Sequence, residues 1–187
     1  MTQPPPLYII QLSGPPGSGK STIARSLAPH LNAVVINHDL LKSFFLSLSH
    51  PFDESAKLAY RLDWVLAADL LAQGRSVIVD SVCNYAELFE KGEEVAAECG
   101  ARYRFVRCKV GDVEVLERRL RGRVAMRSQR TGIEKPPVDA GGGGEDHREV
   151  LRRKMENPVQ PASGVIVVDS SGSTEECVQE ILRQIVG

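Results

Sequence analysis

The sequence predicts an α/β protein, a three-layer sandwich in which a five-stranded parallel sheet is covered by helices on both faces. Two features predict it. Five short runs rich in apolar and β-branched residues recur along the chain, most of them nearly continuous in apolar character, the pattern of strands buried on both faces rather than on one. Between them lie segments whose apolar residues return every three to four positions, the period of an amphipathic helix. At 187 residues the chain is long enough for one domain with a sizeable core and too short for two, so residues 1–187 are expected to form a single unit.

The first run, 7–12 (LYIIQL), stops where glycines begin and reads as a buried strand feeding a loop. A helix follows over 21–31, with Ile23, Leu27 and Leu31 in step. Residues 33–36 (AVVI) are the second strand, followed by a short helix over 39–48 and a longer one over 54–73 closed by Gly74. The third strand, 76–79 (SVIV), ends at Asp80, and a helix over 85–99 is ended by Gly100. A fourth strand covers 102–110, a helix 112–121, a fifth strand 164–168 (GVIVV), and a last helix runs from 173 to about 186. The stretch 128–144 breaks this rhythm. It holds Pro136, Pro137 and glycines 141–144 without an apolar period, which predicts a mobile loop. Four consecutive glycines are also what an engineered loop replacement would leave.

Composition excludes several classes. Hydrophobic residues make up 42% and charged ones 25%, which argues against general disorder. A net charge of −1 offers no global attraction to nucleic acid or to an anionic membrane, so a polyanion would have to meet a local patch. Cys83, Cys99, Cys108 and Cys177 form no C-x-x-C pair and no metal-ligand spacing, and are read as reduced thiols. Residues 1–6 lack a basic segment and an apolar core of signal-peptide length, and no run approaches the ~20 apolar residues of a membrane span. The expected location is cytoplasmic, with no membrane contact.

The chemistry starts at Gly14-Pro15-Pro16-Gly17-Ser18-Gly19-Lys20-Ser21, which fits G-x-x-x-x-G-K-[ST] between a predicted strand and a predicted helix. Glycines let successive N–H groups turn inward without side-chain bulk, and the helix that follows adds its positive end. Gly14 through Thr22 are therefore the expected phosphate-binding residues of a nucleoside triphosphate site. Lys20 would reach the outer phosphates, and the Ser21 hydroxyl would ligate Mg2+. Asp80, closing VIVD, stands where a second carboxylate helps hold that metal, although a turn or helix-cap role explains it too.

The glycine-rich loop, Asn37-His38-Asp39, Asp80-Ser81 with Asn84, and the arginine-rich stretch after Leu116 together resemble the P-loop kinase group. That group includes the kinase domain of polynucleotide kinases, chloramphenicol phosphotransferase and zeta-toxin-like kinases, and small stand-alone proteins described as an AAA domain. The resemblance implies a P-loop NTPase fold of the nucleoside-monophosphate-kinase-like type, with ATP and Mg2+ as cofactors. It implies Asp39 as the base that takes the acceptor hydroxyl's proton, at a strand end that would face the ligand crevice; Asp39 would equally serve as N-cap of the helix that follows. It implies a lid over about 118–130 in which Arg119 and Arg123, on one face if helical, neutralise charge during transfer. The plain alternative is a solvated helix face with Glu114–Arg118 and Glu117–Arg121 pairs. Lys42 stands where polynucleotide kinases carry an arginine, and lysine lacks that bidentate fork. Residues 170–172 match a base-bordering loop loosely, and a capping box from Ser173 or Thr174 to Glu176 explains them as well. His30, His38, His50 and His147 make no ligand constellation.

Three functions follow as expectations. The first is an ATP- and Mg2+-dependent transfer of the γ-phosphate to a hydroxyl of a small molecule or nucleotide. The second is a nucleotide-binding switch or slow ATPase acting on a partner. The third is a 5′-hydroxyl polynucleotide kinase, which would need a basic channel with stacking aromatics, and aromatic residues are only 5%. The acceptor pocket is expected between Phe44 and Leu66 and after Arg130. Phe44, Phe45, Phe52, Tyr60 and Trp64 could line it or could belong to the core.

Overall fold

The computed structural model describes residues 5–140 and 146–186, so glycines 141–144 lie outside the described residues. Five parallel strands form one sheet in the order β2-β3-β1-β4-β5. They are β1 (Tyr8–Ser13), β2 (Ala33–Asn37), β3 (Ser76–Asp80), β4 (Arg102–Lys109) and β5 (Val165–Asp169). The predicted α/β class and strand set hold. Every residue of β1 and β3 is buried, as their mostly apolar sequences require of strands roofed on both sides.

The helices are α1 (Lys20–Leu27), α2 (His38–Ser47), α3 (Phe52–Ala72), α4 (Ala86–Glu98), α5 (Val113–Arg121), α6 (His147–Glu156) and α7 (Thr174–Val186). One face of the sheet buries Ile10, Leu12 and Val106 against Ile23 and Leu27 of α1 and Val178 and Ile181 of α7. The other buries Ile9, Val77 and Val79 against Trp64, Ala67 and Leu71 of α3 and Val95 and Ala96 of α4. A smaller core joins Val110 just past β4, Leu116 and Leu120 of α5, Leu151 of α6, and Ile133 from the segment between those helices. From β1 the chain winds outward to β2 and back to β3 on one side, then to β4 and β5 on the other. This reversal places a crevice over the C-terminal end of β1.

Three expectations need correction. The helix expected over 21–31 ends at Leu27, and Ala28–Leu31 is a 3-10 turn holding Pro29, closed by Asn32 in the left-handed region at φ 47°. Helix α6 was not foreseen, although Asp146 caps it by accepting from the Arg148 and Glu149 amides at 2.9 and 3.2 Å. Finally, the segment after Ser128 carries an anchor despite its lack of apolar period. Ile133 is fully buried, and its amide donates to Glu117 Oε2 at 2.6 Å.

Candidate active site

The C-terminal strand ends open on one cleft of about 1350 Å³, lined by the glycine-rich loop, Asp39, Lys42, Asp80, Arg119, Arg123 and Arg130. Gly14, Gly17 and Gly19 have φ of 147°, 85° and 87°. A Cβ on Gly14 would lie 2.5 Å from the Cys108 carbonyl, and one on Gly17 3.0 Å from that of Leu116. The loop therefore lies flat on β4 and α5, in a shape that side chains would prevent. Lys20 Nζ donates to the Gly14 and Pro15 carbonyls at 2.8 and 3.1 Å, bridging the mouth of the loop. Ser18 Oγ is buried without a partner among the described residues.

Asp80 is buried at the end of β3, and the Ser21 hydroxyl of α1 stands close enough to its carboxylate to stabilise the charged form. Burial pushes the Asp80 pKa up, while Lys20 and the Ser21 hydroxyl pull it back. A buried carboxylate beside a hydroxyl is an all-oxygen donor pair, the kind that Mg2+ takes alongside phosphates and waters. No group of three or more His, Cys, Asp or Glu side chains that could hold a metal occurs among the described residues.

Asp39 is not the cap of α2. Asn37 takes that place, its Oδ1 accepting from the Leu40 amide at 3.2 Å, so the Asp39 carboxylate is released from the helix terminus. It turns instead to residues far along the chain: Gln129 Nε2 donates to Oδ2 at 2.7 Å and Ser128 Oγ lies 3.2 Å from Oδ1. Ser128 is held in turn by Ser43 of α2, whose Oγ accepts from the Ser128 amide at 3.1 Å. Ser128 and Gln129 were not foreseen. They are 89 and 90 residues from Asp39 in sequence, with no local signal to join them.

His38 is a second departure. It opens α2, is buried, and pairs through Nδ1 with Asp63 Oδ2 of α3 at 2.7 Å, its ring stacked on Tyr60 with centroids 4.0 Å apart. Tyr60 and Phe52 line the cleft, Trp64 belongs to the core, and Phe44 points outward at 57% exposure, so the predicted aromatic set divides. Lys42 is buried in the cleft with Nζ 3.4 Å above the Phe52 ring. Burial pulls its pKa down, and Asp39 and Asp53 act to raise it.

Arg119 and Arg123 both reach the cleft but do not share a helical face, because α5 stops at Arg121 and Gly122 caps it. Arg119 Nη2 donates to the Ser171 carbonyl at 3.4 Å, and Arg123 Nη2 to that of Arg130 at 2.7 Å. Arg119 Nη1 and Arg123 Nε are buried with no partner among the described residues. Glu117 and Arg121 pair as expected at 2.6 Å, whereas Glu114 turns to Arg148 of α6 at 2.8 Å instead of Arg118. At β5 the capping reading holds: Ser173 Oγ accepts from the Glu176 amide at 3.2 Å, and Glu176 Oε2 accepts from the Ser173 amide at 3.3 Å.

The strand order and the glycine-rich loop at the head of α1 define a P-loop NTPase fold of the nucleoside-monophosphate-kinase-like type. Within that class, the chain belongs to the family described as AAA domain, whose profile matches residues 9–137. The fold is similar to that of the APS kinase of Mycobacterium tuberculosis in complex with AMPPNP and APS, at 20% identity and a TM-score of 0.67, covering 98% of this chain and 100% of that one. It is also similar to a gluconokinase from Sinorhizobium meliloti 1021, at 20% identity and a TM-score of 0.62 over 97% of this chain and 92% of the other. A third likeness is to a sugar kinase from Janibacter sp. HTCC2649, at 16% identity and a TM-score of 0.65 over 97% and 95%. At such identities the likeness is one of fold. No protein of curated function matches the sequence.

Proposed function

We propose that this protein is a phosphotransferase that moves the γ-phosphate of ATP, bound with Mg2+, to a hydroxyl of a small molecule or nucleotide. The observation that carries the reading is Asp39: a carboxylate freed from capping duty, standing in the same cleft as the glycine-rich loop and tied to Ser128 and Gln129 of the opposing segment. The loop amides and Lys20 bind the triphosphate, Lys20 exchanging its two carbonyl partners for phosphate oxygens. Ser21 and Asp80 hold the Mg2+, which screens the charge of the phosphates. Asp39 accepts the proton of the attacking hydroxyl, and Arg119 and Arg123 supply the unpartnered guanidinium donors that meet charge on the transferring group.

The test is transfer of labelled γ-phosphate to a panel of nucleosides, nucleotides, sugars and 5′-hydroxyl oligonucleotides. Lys20→Ala should abolish transfer, and Asp39→Asn should lower it roughly 10²-fold or more, the usual contribution of a positioned base. Full turnover in Asp39→Asn would remove Asp39 from the chemistry. A switch or slow ATPase has one observation in its favour, the engagement of both Asp39 oxygens by Ser128 and Gln129. It predicts release of free phosphate that survives Asp39→Asn and partner binding that depends on the nucleotide.

A further inference from the structure

The cleft is far more positive than the protein that contains it. Its lining carries ten Lys and Arg side chains against three carboxylates, while the whole chain has a net charge of −1. The basic residues are therefore concentrated at this one place, and a magnesium-bound triphosphate offsets only part of their excess.

One of them cannot be explained by the triphosphate. Arg107 is the third residue from the end of β4, and its Nε is shut off from solvent with no partner among the described residues. Nor does it form an ion pair among those residues. A buried guanidinium donor without an acceptor is costly, and in a cleft of this charge a bound anion is the partner that would complete it. Strand register shows which side of the sheet Arg107 takes. Leu12 of β1 is in register with Asp80, and Ser13 with Arg107. Successive strand residues face opposite ways. Leu12 packs on the side of α1 and α7, below the glycine-rich loop. Ser13 and Arg107 thus belong to the opposite side, where α2 and α3 pack through Leu41, Trp64 and Ala67, and where Asp39 stands at the start of α2.

We propose that Arg107 anchors an anionic group of the phosphate acceptor, a carboxylate or a phosphomonoester, so that the substrate is a small anionic alcohol. The inference rests on the phosphotransferase reading and gives its substrate a chemical class. Arginine suits the task because its planar fork meets either oxyanion with two parallel hydrogen bonds, which a neutral sugar or amino-alcohol would leave unmade.

The experiment separates this inference from the reading beneath it. The full chain, saturated with AMP-PNP and Mg2+ to fill the triphosphate site, is titrated calorimetrically with inorganic phosphate and separately with acetate at constant ionic strength. Saturable binding of at least one anion is expected, weakened tenfold or more in Arg107→Gln and by less in Arg107→Lys, with AMP-PNP affinity unchanged in both. Binding of neither anion, or equal binding by the wild type and Arg107→Gln, overturns the proposal. Label transfer is then measured on matched pairs, glycerol against glycerol phosphate and glucose against gluconate. The anionic member should lead by at least tenfold in kcat/KM, with the gap closing in Arg107→Gln. Transfer to the neutral members alone overturns the anionic acceptor while leaving a kinase. Arg107-dependent anion binding with no transfer to any acceptor keeps the subsite and counts against the kinase.

Discussion

A single buried carboxylate can serve binding at the expense of stability, and the proposed role of Asp80 in holding Mg2+ makes this testable. Its pKa is raised chiefly by burial, so the folded protein holds a proton there more tightly than the unfolded chain does. The sign follows: this group's contribution to stability is present at low pH and is lost as pH rises through the folded value, because burial opposes the charged form more than Lys20 and Ser21 favour it. Asp80→Asn removes that charge at similar volume. In the presence of EDTA the variant should melt about 2–4 °C higher than wild type, the shift that roughly 1 kcal/mol produces at this size. Nucleotide binding in Mg2+ should weaken in the same variant, measured by calorimetry with and without metal. A lower melting temperature in EDTA would show that Asp80 is structurally required rather than held for a ligand.

Elements divide between those set by local sequence and those set by distant partners. The strands and most helix ends were legible because each has a local cause: mostly apolar runs, Gly74 and Gly100 at φ of 76° and 66° closing α3 and α4. The glycine-rich loop was legible for the same reason. Helix α6 is also written locally, in the Asp146-to-Glu149 cap and in Leu151 and Met155 one turn apart, but it follows directly on a proline- and glycine-rich stretch whose composition predicts a loop. The contacts around Asp39 were not legible, since Ser128 and Gln129 meet it only through tertiary folding. Nor was Gly92, inside α4, where a glycine looks like a flaw. A Cβ there would fall 2.7 Å from the Tyr103 ring and 2.8 Å from Trp64, so its absence lets α4 sit close to the sheet. Gly92→Ala should therefore destabilise by about 1–3 kcal/mol despite the better helix propensity of alanine, seen as a lower denaturation midpoint with an unchanged slope. An unchanged or raised midpoint would mean that α4 shifts outward at little cost.

At the scale of the molecule, the cleft is bounded on one side by the sheet, its glycine-rich loop and α5, which packs beneath that loop, and on the other by residues 123–140 and α6. Ile133 and Leu151 hold that segment to α5 in a core of its own, separate from the two cores that flank the sheet. Its ties across the cleft are polar: Ser128 and Gln129 to Asp39, and Lys154 Nζ to Asn84 Oδ1 at 3.1 Å. Polar ties of this kind add about 1 kcal/mol each, so the segment is secured far less strongly than the sheet. A triphosphate that engages Arg123 from one side and Arg119 and the glycine-rich loop from the other would bridge the two parts. ATP with Mg2+ at a hundred times its dissociation constant should thus raise unfolding stability by about 2.7 kcal/mol, and it should slow amide exchange at 119–133 more than in the strands. Lys20→Ala should lose both effects together. If stabilisation appears without protection of 119–133, the nucleotide is held by the loop alone and the arginines act only once the acceptor has entered.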